Sequence, residues 1–121
     1  HLPVSGAWHS PLMGPASGAF EEVLCEADFE DAQIDVYGNV SARAHREASE
    51  LRGALSRQIL SPVLWADSMR SMFDDYPEAT FVEVGPGRVL MGLALRIDRR
   101  RRVINVDTVR ALESFLSKVG R

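Results

Sequence analysis

Residues 79–97 read ATFVEVGPGRVLMGLALRI. Ala79–Val84 is short, rich in β-branched and aromatic residues, and bounded by Pro77 before and Gly85-Pro86-Gly87 after, which predicts a strand. Arg88–Ile97 predicts a helix whose apolar side chains crowd most of its circumference, so it should be buried or packed on two sides. The alternation then repeats. Arg102–Val106 predicts a strand and Thr108–Lys118 a closing helix, with Asp107 as its expected N-cap. Upstream, Leu12, Ala16, Phe20, Val23 and Leu24 fall near helical spacing, which predicts a helix from Pro11 to about Glu26. Phe29–Gln33 is a polar connector and Ile34–Tyr37 a short strand running into Gly38-Asn39. Glu47–Ile59 predicts a helix, with Leu51, Leu55 and Ile59 stacked on one face. Pro62 breaks it, and Val63–Phe73 predicts a third helix. Leu2–Val4 reads as a strand end. Strands alternating with helices specify an α/β fold, a parallel sheet flanked by helices. The strands are few for an independent domain, so residues 1–121 are expected to be one portion of a larger sheet.

The glycines of Gly85-Pro86-Gly87 do not make a phosphate loop. Position 90 is Leu90 where a dinucleotide fingerprint needs glycine, and no Lys-Ser or Lys-Thr follows. A strand-to-helix turn with unusual backbone angles accounts for them.

The chain has 121 residues, 45% of them apolar, and suits one compact domain or a piece of one. No apolar stretch is long enough to span a bilayer and no secretory leader is visible, so no membrane and a cytoplasmic setting are expected. The single cysteine, Cys25, excludes an internal disulfide and a cysteine zinc site. His1, His9 and His45 lack ligand-like spacing, so no metal is expected. Net charge is −3, unevenly spread. Residues 1–87 carry 5 basic and 14 acidic side chains, residues 88–121 carry 9 and 3. Arg99, Arg100, Arg101 and Arg102 form a run that reads either as a solvated loop or as a landing patch for an anionic partner. Nucleic acid fits less well, because the overall charge is negative and no aromatics interleave the run.

The chemistry concentrates in Val4–Met13, VSGAWHSPLM. Ser10 suits an N-cap and Pro11 the first helical position, which holds His9 in the turn between a strand end and a helix start. Such turns are where α/β proteins place catalytic groups. Cys25 is no partner for His9: it lies about 14 residues along the following helix, roughly 20 Å away, and is expected to be a semi-buried, inert thiol.

This segment resembles the histidine motif of malonyl-CoA:acyl carrier protein transacylases and of the acyltransferase domains of polyketide and fatty acid synthases. Arg57–Trp65, RQILSPVLW, resembles that family's R-Q-x-x-x-P-V-x-W run. Phe81–Leu93, FVEVGPGRVLMGL, resembles its E-V-G-P-G-x-V-L-x-G-L segment, and Asn39-Val40 fits a short element between them. The resemblance covers nearly the whole chain but only the C-terminal part of a family member. It implies an α/β-hydrolase-like large subdomain, with residues 1–4 returning from a missing ferredoxin-like small subdomain and the nucleophile-bearing N-terminal portion absent. It implies transfer of malonyl from coenzyme A to the phosphopantetheine thiol of acyl carrier protein through a serine ester, in fatty acid synthesis. Coenzyme A enters as the thioester substrate, and no cofactor is needed.

Serine is a poor nucleophile at neutral pH and needs a base within hydrogen-bond reach, a role the resemblance gives to His9. The second ring nitrogen is then held by the main-chain carbonyl of Gln58 rather than by a carboxylate. Trp8 departs from the family, whose malonyl-specific members usually carry Phe there and methylmalonyl-specific ones Ser. Its bulk is expected to crowd an α-methyl group and favour malonyl; the competing expectation is that Trp8 faces the core. No G-x-S-x-G elbow occurs in the sequence, so the chain is expected to be inactive alone. The missing N-terminal part of the enzyme, malonyl-CoA and an acidic carrier protein met through Arg99–Arg102 are the expected partners. An excised polyketide synthase acyltransferase module, or a non-catalytic carrier-binding remnant, are the alternatives.

Overall fold

The computed structural model describes residues 6–119; the strand end expected at Leu2–Val4 lies outside them. The chain forms two compact units, His1–Met72 and Phe73–Arg121.

In the first unit, Pro11–Met13 form one 3-10 turn that leads directly into α1, Gly14–Glu26. Gly14 and Pro15 stand at that junction, and a proline near the helix start forfeits an N–H that would have had no helical partner. The strand expected at Ile34–Tyr37 is β1, Val36–Gly38. It is not part of a parallel sheet. It pairs antiparallel with β2, Arg43–His45, and Val36 faces His45. Then α2 spans Ala48–Gln58. Its N-terminus is capped from a distance, because Ala48 N–H donates to Asp31 Oδ1 at 2.8 Å. The polar connector is pinned beside it by Ala32 N–H to Arg46 O at 2.7 Å and by an Arg46–Asp35 ion pair. Arg52 of α2 reaches the C-terminal carbonyls of α1, donating to Leu24 O and, at 2.9 Å, to Ala27 O. Its guanidinium also lies 4.7 Å from the Phe29 ring centroid. A cation among last-turn carbonyls satisfies otherwise orphaned acceptors and opposes the negative helix end. Leu24 and Ala54 are buried.

The helix expected from Val63 begins two residues later, as α3, Trp65–Asp75. Leu64 N–H donates to Asn39 O at 2.9 Å, which ties the residues after Pro62 to the β1–β2 hairpin, and Leu64 O accepts from Ser68 N–H to open the helix.

In the second unit, β3, Thr80–Val84, and β4, Arg102–Val106, run parallel with Thr80 opposite Arg102 and Val84 opposite Val106. Between them lies α4, Val89–Ile97, and after them α5, Val109–Val119. Gly85 and Gly87 adopt φ of 128° and 91°, backbone that other residues rarely tolerate. That turn lets the Glu83 carboxylate accept from Leu90 N–H and Met91 N–H, both at 3.0 Å. It satisfies two orphan donors and sets a negative charge at the positive end of α4. The cap of α5 is Thr108, whose Oγ1 accepts from Ala111 N–H at 3.2 Å, and not Asp107 as expected. Phe73, Ala94 and Val106 are buried, and Phe73 meets Phe81 edge-on at 4.9 Å. Met91, Leu95 and Ile97 of α4 are half-buried, but Val89 is 70% exposed and Leu90 44%, so the expected burial on two sides is not supplied by this chain.

Candidate functional site

His9 sits at the end of a small turn whose closure is local. Ser10 Oγ–H donates to Ala7 O at 2.7 Å, and Ser10 Oγ accepts from Leu12 N–H at 3.3 Å, the expected N-cap. The backbone of His9 is left-handed, with φ of 59°. Such a conformation costs a non-glycine residue about 1 kcal/mol or more and persists where surrounding bonds impose it. It turns the imidazole toward the C-terminal end of α2.

There, His9 Nδ1 lies 3.0 Å from the carbonyl oxygen of Gln58. A carbonyl only accepts, so Nδ1 carries the proton and Nε2 carries the lone pair. Gln58 is the last residue of α2. Its oxygen also accepts from Ser61 N–H at 3.2 Å, so both lone pairs are used. The Gln58 side chain is a bystander to this bond: its Nε2 donates to Ser61 O at 3.2 Å and stands 3.5 Å from His9 Nδ1. The bond therefore fixes the tautomer and the orientation of the ring. Among the described residues no hydroxyl is hydrogen-bonded to Nε2.

Trp8 is 60% exposed, so it does not face the core of this chain. Its indole lies over the Gly6 backbone: a Cβ at Gly6 would come within 3.2 Å of Trp8 Cε2 and Nε1. Thus the structure brings His9 and Gln58 together, with Trp8 on the same turn. Cys25 is exposed, not semi-buried.

The arginine run, in the second unit, is not one uniform patch. Arg101 is largely buried. It pairs with Asp98 at 3.3 Å, donates to Pro77 O at 2.6 Å and lies 5.1 Å from the Phe73 ring centroid. Arg100 is open and pairs with Asp98 at 3.2 Å. Arg99 and Arg102 are exposed. Arg100 and Arg102 border a polar cavity of about 570 Å³ at the amino-terminal end of β3 and β4. Among the described residues no cluster of His, Cys, Asp or Glu could hold a metal ion, and no helix is long and apolar enough to cross a membrane.

Sequence reasoning missed a second constellation. Ser41, His45 and Glu50 are linked by hydrogen bonds, with His45 buried at 2% exposure. Only the four- and five-residue spacings hinted at it, and they acquire meaning once the β1–β2 hairpin is known.

No protein-family model matches the chain. A malonyl CoA-acyl carrier protein transacylase of Bacillus subtilis is 38% identical over 112 residues, covering 93% of this chain and 35% of the relative. The solved transacylase of Coxiella burnetii superposes with a TM-score of 0.88 at 29% identity, over 99% of this chain and 38% of that one. This chain belongs to the malonyl CoA-acyl carrier protein transacylase family. A malonyl transacylase solved in complex with a type II polyketide synthase acyl carrier protein matches with a TM-score of 0.87 and 32% identity, over 97% of this chain and 38% of its own. The chain spans little more than a third of the length of the transacylases it matches. That share fits the C-terminal segment expected from the motif order, and the fold is the α/β-hydrolase-like one of the transacylases.

Proposed function

We propose that this chain carries the base half of a malonyl-CoA:acyl carrier protein S-malonyltransferase, and the observation that carries the reading is the 3.0 Å bond from His9 Nδ1 to Gln58 O. With Nδ1 protonated, His9 Nε2 takes the proton of a serine hydroxyl supplied by the rest of the enzyme. The serine oxygen attacks the malonyl thioester carbonyl. Collapse of the tetrahedral intermediate breaks the C–S bond, and Nε2 returns the proton to the departing coenzyme A sulfur. In the second half Nε2 deprotonates the carrier's phosphopantetheine thiol, which attacks the serine ester, and the proton goes back to the serine. Gln58 acts through its main chain in both halves.

The chain would then be the C-terminal portion of the large subdomain. Trp8 lines the acyl pocket. The carrier docks by its acidic surface on Arg99, Arg100 and Arg102, while Arg101 holds the loop that presents them. The setting is cytoplasmic, in keeping with a single exposed thiol and a reducing compartment. Fatty acid synthesis is the first reading. The likeness to a transacylase solved with a polyketide carrier favours polyketide synthesis as the second.

The test uses the full-length enzyme that contains this segment. His9→Ala is expected to lower malonyl transfer about 10²–10⁴-fold, the usual worth of a general base, with thermal stability retained. Undiminished transfer in that variant would remove His9 from the mechanism.

A further inference from the structure

His45 is almost completely buried, and the proposed chemistry does not use it. Its Nδ1 lies 3.2 Å from Glu50 Oε2, and a carboxylate oxygen only accepts, so Nδ1–H donates. Its Nε2 is 2.7 Å from Ser41 Oγ. Glu50 also receives Arg43 Nη2 at 3.3 Å.

The connectivity is that of a nucleophile, a base and an orienting carboxylate, but the surroundings are not those of a reacting site. Ser41 N–H, Ala42 N–H and Ser41 Oγ all lie within 3.2 Å of Gly38 O. The amides that would have to stabilise an oxyanion are thus already committed inside the turn. Gly38 backs directly onto the cluster, since a Cβ there would stand 2.8 Å from Ser41 Oγ and 3.1 Å from His45 Nε2.

What the cluster does is join the hairpin to the first turn of α2, through Glu50. The far end of that helix is Gln58, whose carbonyl meets His9. Between hairpin and helix lies a cavity of about 180 Å³ walled by Val36, Leu51, Leu55, His45 and Gln58. Side chains facing a void forfeit contact on that side, so apolar packing alone leaves the tilt of α2 under-determined. The polar clamp supplies what packing does not.

We propose that His45 is a positioning residue for malonyl transfer: by holding Glu50 it sets the tilt of α2 and so places the Gln58 carbonyl against His9 Nδ1. The inference rests on His9 being the base. From Glu50 to Gln58 the helix is a lever of about 12 Å, so a tilt of about 5° carries the carbonyl about 1 Å. A displacement of that size can lower a rate by as much as about 10²-fold.

The test uses the full-length enzyme with ¹⁵N-labelled histidine. H45F removes the Nδ1–H donor and the Nε2 acceptor together; H45N keeps an N–H near the Nδ1 site; H45Q keeps a polar atom only near the Nε2 site. The expected results for H45F are a kcat lowered about 10–100-fold, a KM for malonyl-CoA unchanged within about twofold, and ¹⁵N shifts showing His9 no longer fixed as the Nδ1–H tautomer. H45N should restore the tautomer and most of kcat, and H45Q should restore less. Where H45F does not fold, the order of H45N over H45Q decides alone, and equal behaviour of the two overturns the proposal. A wild-type His9 tautomer in H45F overturns it too, whatever happens to kcat. Transfer that survives His9→Ala defeats the base reading instead, while the tautomer measurement still reports on the clamp.

Discussion

At the scale of single residues, the site depends on two side chains side by side on one turn. His9, itself exposed, is turned toward the end of α2 by left-handed backbone, while Trp8 stands open above Gly6. On the proposed reading, an indole next to the base would restrict the space for the acyl α-carbon. A pocket that excludes one methyl group discriminates by about 1–3 kcal/mol, or roughly 10- to 200-fold. Trp8→Ala in the full-length enzyme should therefore lower the preference for malonyl over methylmalonyl by about tenfold or more, read as the ratio of the two kcat/KM values. An unchanged ratio would take Trp8 out of the acyl pocket. The sequence pointed to His9 through its local turn chemistry, and to Gln58 and Trp8 only through the family resemblance. His45 was beyond its reach. A lone histidine four residues after a serine and five before a glutamate is unremarkable until a hairpin folds them onto one point.

At the scale of elements, the loop joining α4 to β4 carries a titratable lock. Asp98 Oδ1 accepts from Arg100 N–H at 3.0 Å and from Arg100 Nε at 3.2 Å, and Asp98 Oδ2 pairs with Arg101 Nε at 3.3 Å. The backbone bond from Arg100, then its side-chain bond, then the charges of Arg100 and Arg101 hold the Asp98 carboxyl below its ordinary range. A carboxyl depressed by folding stabilises the native state above its unfolded pKa, and that contribution disappears as pH falls through the lowered folded value. Thermal melts recorded down an acid series should show Asp98→Asn less stable than the native sequence at neutral pH and equal to it at the acid end. A constant gap at every pH would mean that charge is irrelevant there. The bordering strands were legible because prolines and glycines punctuate them and β-branched residues fill them. By contrast, β2 reads Arg-Ala-His, with no strand propensity of its own. Its existence follows from pairing with β1, which is a tertiary fact. Asp107 and Thr108 are both good cap residues, and only the backbone geometry chooses between them.

At the scale of the whole molecule, the chain leaves much apolar surface uncovered. In the second unit, Val84 is 82% exposed, Val109 73% and Leu116 56%. Parallel strands are normally covered on both faces, and two strands are too few to stand alone. On the proposed reading, the two-thirds of a transacylase that this chain does not span would cover these side chains. On the proposed reading the nucleophile belongs to that remainder as well. Incubating the isolated chain with malonyl-CoA should leave its intact mass unchanged, whereas the full-length enzyme should gain one malonyl group. A stable adduct on the isolated chain would show that it holds an attacking group after all.

The acceptor opposite His9 belongs to the peptide backbone, and this bears on how such an enzyme withstands genetic change. A carboxylate in that place would vanish with one altered codon, whereas a peptide oxygen survives any exchange of side chain that leaves the end of α2 in shape. Ordinary mutational scanning will pass over it, and only chemical replacement of the amide linkage would expose its contribution.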